Sequence, residues 1–188
     1  CLRACASIGA IDKGQKIHAE ISRQGLLEGD AAIGSALVDM YVKCGLLADA
    51  EQVFGKLPFR DVVSWTTLIT GFTQHGYVAE TFTCHDRMQI ESVSPDVVTL
   101  LCCLKACAIT GFLGKGQQIH SQITQNGLLE KDLRIGNALV DMYAKCGALS
   151  KARQVIEDLN ILDIVSWNAL ISGYAHQGQG HDLLNCFE

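Results

Sequence analysis

Residues 33–65 read IGSALVDMYVKCGLLADAEQVFGKLPFRDVVSW, and residues 135–167 return as IGNALVDMYAKCGALSKARQVIEDLNILDIVSW. The echo extends upstream. CLRACASIGAIDKGQKIHAEISRQGLLEGD at 1–30 pairs with CLKACAITGFLGKGQQIHSQITQNGLLEKD at 103–132, with Ile17, His18 and Ile21 recurring as Ile119, His120 and Ile123 at a constant spacing of 102 residues. A long repeat at one fixed spacing limits the fold more than any local motif does. Each unit packs mainly on its neighbours, and the architecture is an array.

Within each 102-residue period the apolar pattern is helical throughout. Ile33, Leu37, Met40 and Tyr41 fall at i, i+4, i+7 and i+8, one face of a helix. Cys44-Gly45 breaks that helix, and Leu47, Ala50, Val53, Phe54 and Leu57 form a second one closed by Pro58. Trp65, Leu68, Ile69 and Phe72 begin another pair, with a turn at His75-Gly76. The pattern predicts a partner helix from Val78 to Glu91, ended by Ser94-Pro95-Asp96. Glycines at 9, 25, 111 and 127 suit helix C′ positions, where positive φ disfavours a Cβ. No stretch keeps a period of two, so no sheet is expected.

The period therefore divides into helix-turn-helix units 31–61, 62–96 and 97–132, then 133–163, with partial units 1–30 and 164–188 at the ends. Units this short cannot bury an apolar face alone and must stack. The expected fold is all-α, a right-handed α-α superhelix, or solenoid, of paired helices. The chain opens inside a sequence that recurs at Cys103–Cys107 and stops within a helical pattern. It is therefore expected to be a stretch of a longer array, whose cut ends could associate end to end.

Composition narrows the function classes. With 15 Lys+Arg against 20 Asp+Glu the net charge is -5, which argues against binding duplex by phosphate neutralisation alone. No window approaches the apolar length of a membrane span. The 9 Cys include no C-x-x-C pair, and they read as buried, reduced small hydrophobes rather than metal ligands or disulfides. His18 and His120, on apolar helix sides, read as structural, as do Trp65, Trp167, Tyr41 and Tyr143. Lys43 and Lys145 could meet a phosphate or cap the preceding carbonyls, with capping the simpler role. Gly111-Phe-Leu-Gly-Lys-Gly116 lacks the spacing and the Ser/Thr of a phosphate loop. No catalytic, metal or cofactor motif stands out, so no enzyme is expected.

Unequal units in this order, worded ALVDMYAKCG, VVSWTTLI and GKGQQIH, resemble plant pentatricopeptide-repeat proteins of the PLS subclass. The resemblance covers the whole chain and makes 1–30 a partial L motif, 31–61 S, 62–96 P, 97–132 L, 133–163 S and 164–188 a partial P. It implies sequence-specific binding of single-stranded organellar RNA, one motif per base. The setting implied is a mitochondrial or chloroplast processing factor, for C-to-U editing above all, working with other editing proteins. The fifth and last residues of each motif are then the readers: Ser35 with Asp61, Thr66 with Asp96, Asn137 with Asp163, and Asn168 without a partner in this chain. Val63 and Val165, at motif position two, would sandwich bases, and Arg134 and Ala32 stand there in the S motifs. Leu101, fifth in its motif, has no hydrogen-bonding group.

Carried over, Thr66/Asp96 and Ser35/Asp61 imply guanine, Asn137/Asp163 uracil and Asn168 a pyrimidine. By spacing alone, Ser35, Thr66 and Asn137 could equally be helix N-caps. The alternative for the whole chain is a solenoid that binds a peptide or partner helix.

Overall fold

The computed structural model describes residues 1–129, 132–158 and 164–178. Among them are twelve helices and no strand, and no helix is long and apolar enough to cross a membrane. Two compact units emerge, Cys1–Thr99 and Leu100–Glu188.

In the first unit the helices are α1 (Leu2–Ile8), α2 (Ile11–Arg23), α3 (Leu26–Gly29), α4 (Ala31–Lys43), α5 (Leu47–Gly55), α6 (Val62–Gln74) and α7 (Val78–Ile90). Helix α4 packs on α5, its partner in the pair, and also on α1 and α6, while α6 packs on α7. The first helices of successive pairs therefore stand side by side. Leu37, Met40, Phe54, Trp65, Leu68, Ile69 and Met88 are fully buried between them. The Trp65 ring meets Phe54 edge-on at 4.5 Å, and the Arg87 guanidinium lies 5.4 Å from its centre.

Two departures from the sequence reading concern helix ends. The single turn α3 was not foreseen, because Leu26-Leu-Glu-Gly has no apolar period to detect. Helix α7 ends at Ile90, one residue short of the expected Glu91, but Ser94-Pro95-Asp96 is not what stops it. The stop is Ser92, which takes φ 59. Its N–H donates to the Gln89 carbonyl and that of Val93 donates to Met88. Gly45 (φ 75) does the same after α4, with bonds from Gly45 to Val42 and from Leu46 to Tyr41. A serine thus occupies the left-handed position that glycine normally fills in this helix-ending motif.

The second unit holds α9 (Leu113–Gln125), α10 (Leu133–Lys145), α11 (Leu149–Asp158) and α12 (Ile164–His176). Helix α8 (Val97–Thr110) begins at the end of the first unit. Helix α10 packs on α9, α11 and α12, and its buried Ile135, Leu139, Val140, Met142 and Tyr143 repeat the face that α4 presents.

Candidate nucleic-acid interface

After the opening pair, the first helix of each pair starts at Ala31, Val62, Val97, Leu133 or Ile164. Where the preceding residue is described, it is an aspartate that caps the helix. Asp30 accepts from Ala32 N–H, Asp61 from Ser64 N–H at 2.8 Å, Asp96 from Thr99 N–H at 2.8 Å and Asp132 from Arg134 N–H. Each such bond satisfies one of the donors that a helix N-terminus leaves open. The caps are therefore aspartates. Ser35, Thr66 and Asn137 lie inside the helices, each the fifth residue of its own helix. That placement removes the capping alternative for all three.

A fifth residue sits one turn in, on the face turned toward the next first helix. In the first unit this face is hollowed into two adjoining clefts. One, of about 690 Å³, is lined by Arg3, Ser35, Asp39, Asp61 and Val63 among others. The second, about 290 Å³, holds Val63, Thr66, Thr70, Gln74 and Asp96. Both share Asp39, Lys43, Val63 and Thr67. Val63 stands between them and is 64% exposed, an apolar β-branched side chain held in water. Ser35 and Thr66 thus open onto neighbouring recesses on either side of one valine.

The second unit repeats the second recess at the 102-residue spacing. Asp141, Lys145, Val165, Asn168, Ala169, Ser172 and His176 line it, where the first unit has Asp39, Lys43, Val63, Thr66, Thr67, Thr70 and Gln74. Its volume is about 620 Å³. Val165 is 58% exposed. Asn137 is half-buried and its Oδ1 accepts from Ser166 Oγ at 2.6 Å. Asp163, its expected partner, lies outside the described residues.

Thr66 is the most fully resolved of these positions. Its Oγ1 lies 3.2 Å from Asp96 Oδ1 and 2.8 Å from Thr99 Oγ1. Among the described residues Ser35 and Asn168 have no side-chain hydrogen bond. Arg134 grips its own cap, with Nη2 at 2.6 Å from Asp132 Oδ2. That contact holds the Asp132 carboxyl below its ordinary range.

Lys43 and Lys145 do not cap carbonyls, contrary to the simpler expectation. Each pairs one turn back, Nζ to Asp39 and Nζ to Asp141, both at 2.8 Å. The i, i+4 spacing favours that geometry over a reach to the helix end. Each ion pair lines its cleft, so the cations there are partly neutralised.

His18 and His120 pair with tyrosines between helices. His18 Nδ1 and Tyr41 Oη are 2.8 Å apart, and His120 Nδ1 and Tyr143 Oη 2.9 Å. Burial lowers both imidazoles, with Lys56 and Lys151 adding to it. Trp65 is core as expected, whereas Trp167 is only half-buried.

Sequence reasoning passed over two kinds of residue. Val98, 41% exposed, occupies the second position of α8 as Val63 does in α6. Ser64, Thr99 and Ser166, third in their helices, are almost completely buried. The recurring Val-Ser-Trp carried that second signal: a serine kept between an exposed valine and a tryptophan.

Comparison with known proteins follows this geometry. A model described as the PPR repeat family matches residues 60–109, and one described as the PPR repeat matches 35–62, 137–160 and 165–188. A chloroplastic pentatricopeptide repeat-containing protein of Arabidopsis thaliana is 42% identical over 177 residues, 94% of this chain and 28% of its own length. A mitochondrial one from the same plant is 37% identical over 186 residues, 99% of this chain and 30% of its own. The chain spans about a quarter of the length of the curated relatives it matches.

Among solved structures, the pentatricopeptide repeat protein PPR10 in complex with an 18-nt psaJ RNA element aligns with TM-score 0.70. The identity is 18%, over 97% of this chain and 27% of that one. PPR10 from maize aligns at 0.69, with 20% identity over 99% and 28%. These likenesses carry the fold, a helical-repeat solenoid.

Proposed function

The chain belongs to the pentatricopeptide repeat family, and from that premise we propose that it binds single-stranded RNA along the clefts of its first helices. One observation supports this most. The fifth residue of one pair and the closing residue of the same pair, Thr66 and Asp96, meet at 3.2 Å at a cleft edged by the exposed Val63. A hydroxyl held by a carboxylate beside an apolar ledge has the parts needed to sandwich a base and test its edge. The structural neighbour PPR10, which is in complex with RNA, points the same way.

We read the units as L, S, P, L, S and P motifs of the PLS subclass, over 1–30, 31–61, 62–96, 97–132, 133–163 and 164–188. The reading pairs are Ser35/Asp61 and Thr66/Asp96 for guanine and Asn137/Asp163 for uracil, with Asn168 for a pyrimidine. Val63 and Val165 support base faces, and Arg134 takes that place in its unit. Leu101 leaves its base unread.

Cations are few in these clefts, and Lys43 and Lys145 are tied to Asp39 and Asp141. Affinity would then come from stacking and hydrogen bonds more than from counterion release, and its salt dependence would be shallow. The whole protein would position an organellar transcript for processing, with C-to-U editing the activity the PLS reading favours. Relatives named chloroplastic and mitochondrial support an organellar setting. No residue of this chain is given a catalytic role.

The test is binding of the chain to oligonucleotides carrying 5′-G-G-x-U-Y-3′ against single-base swaps. Asn137→Ser should shift preference at one base from pyrimidine toward purine and leave the others unchanged. Uniform weakening of every RNA would instead make Asn137 a structural residue and leave a protein-binding solenoid as the better reading.

A further inference from the structure

Three first helices carry a hydroxyl at their third residue with almost no exposure: Ser64 at 1%, Thr99 at 0% and Ser166 at 0%. Buried hydroxyls need partners, and these three find different ones. Thr99 Oγ1 lies 2.8 Å from Thr66 Oγ1 and Ser166 Oγ lies 2.6 Å from Asn137 Oδ1. Ser64 Oγ instead donates to the Asp61 backbone carbonyl at 2.9 Å. Two of the three therefore grip the fifth residue of the preceding pair, and the third turns back on its own helix end.

We infer that Thr99 and Ser166 are positioning residues: each holds the fifth side chain of the preceding unit, and Thr99 sets Thr66 to show a base a hydrogen-bond acceptor. This rests on the reading above that fifth residues face RNA bases.

The polarity follows from counting protons. An ionised carboxylate can only accept, so at the Thr66–Asp96 contact the Thr66 hydroxyl donates. A hydroxyl has one proton, so in the 2.8 Å contact Thr99 is the donor and Thr66 accepts. What Thr66 has left is a lone pair. A lone pair suits the N1–H and N2–H2 donors of guanine, whereas adenine has only an acceptor at N1.

Asn137 is held by its oxygen: Ser166 Oγ donates to its Oδ1, which fixes the plane of the amide. Ser35 has no such grip, because Ser64 is occupied elsewhere, and its hydroxyl can turn to give or to take.

The experiment uses the 188-residue chain and synthetic single-stranded oligonucleotides that differ only at the base opposite Thr66 or Asn137. Thr99→Val removes the hydroxyl at nearly constant volume. It should lower the guanine-over-adenine ratio opposite Thr66 about five- to tenfold, the size expected for one net hydrogen bond. Ratios at the other bases should not change. Thr99→Ser, which restores the donor, should recover the ratio, and it keeps the test valid if the valine variant melts early. Ser166→Ala should likewise lower the uracil-over-guanine ratio opposite Asn137 alone. In the unaltered chain the base opposite Ser35 should be the least discriminated of the three.

A ratio that survives Thr99→Val yet collapses in Thr66→Val overturns the inference and leaves RNA reading intact. So does a loss in Thr99→Ser as large as in Thr99→Val, or discrimination opposite Ser35 as sharp as opposite Thr66. An unaltered chain with no base preference anywhere sinks the RNA-reading proposal itself, and this inference with it.

Discussion

Gly71 lies within α6 where that helix crosses α4, and replacing it with alanine sets two opposed effects against each other. Alanine is favoured over glycine in a helix interior by about 0.8–1 kcal/mol. The added Cβ, however, would sit 2.6 and 2.9 Å from the two Val42 methyl carbons and 3.3 Å from Leu47 Cδ2. Val42 is buried and β-branched, with one strongly preferred rotamer in a helix, and cannot swing aside. Overpacking of this kind costs about 1–3 kcal/mol. The net is a loss of about 1 kcal/mol, or about 2–4 °C in melting temperature for a chain of this size.

Two controls isolate the steric part. At Gly14 a Cβ meets Met40 Sδ at 2.6 Å and Cε at 2.9 Å, but a thioether end can rotate away, so Gly14→Ala should change stability by no more than about 0.5 kcal/mol. At Gly114 the nearest atom is Phe112 Cε2 at 3.9 Å, and Gly114→Ala should stabilise by up to about 1 kcal/mol. Thermal unfolding followed by far-ultraviolet circular dichroism ranks the three. If Gly71→Ala melts as high as Gly114→Ala, or if Gly14→Ala falls as far as Gly71→Ala, stiffness of the neighbour does not decide the outcome and the reasoning is refuted.

Acid should weaken the chain before its carboxylates titrate. Burial holds His18 and His120 below the ordinary histidine value of 6.5, so the unfolded state binds more protons once the pH drops under that value. Stability should be flat above it and fall below it. The urea midpoint of His18→Gln/His120→Gln should start lower but decline less steeply between about pH 6.5 and 5, and an equal slope would clear these two imidazoles. Burial also pushes the Cys84 and Cys107 thiols up to about 12, whereas Cys1 is exposed. Iodoacetamide at neutral pH should label Cys1 first and leave Cys84 and Cys107 unmodified until denaturant is added, as read by peptide mass spectrometry.

The repeat made the helices legible, because an apolar period of 3.6 and a glycine at a helix end are local signals. Where the stop depended on a rarer conformation, the sequence placed the helix end within a residue but on the wrong signal. Ser92 ends α7 with positive φ, and no composition rule marks a serine for that position, whereas the nearby proline is a conspicuous but late signal. Lys43 and Lys145 show a second limit. Adjacency to a turn glycine suggested capping, yet Asp39 and Asp141 lie one turn back on the same face and compete for the ammonium. That competition shows only when both roles are placed on one helix. The buried hydroxyls were hidden for a third reason: Thr99 is 33 residues from Thr66, and contact between successive pairs is fixed by stacking, not by local sequence.

The closing aspartate ties stability to the proposed reading in one side chain. Asp96 Oδ1 accepts at once from Thr99 N–H, which fastens the start of α8, and from Thr66 Oγ1, which faces the cleft. Capping alone restricts such a residue to Asp, Asn, Ser, Thr or Gly. Within that set Asp is acceptor-only, Asn brings a donor and the hydroxyls bring either. Exchanging one cap for another would therefore keep the helix while changing what the neighbouring fifth residue is told to present. Replacing the cap by an aliphatic residue would lose both. A unit built this way can vary its chemistry at two positions without altering the packed core of Trp65, Leu68 and Ile69. That separation between a constant interior and an adjustable cleft is the property an array of readers requires.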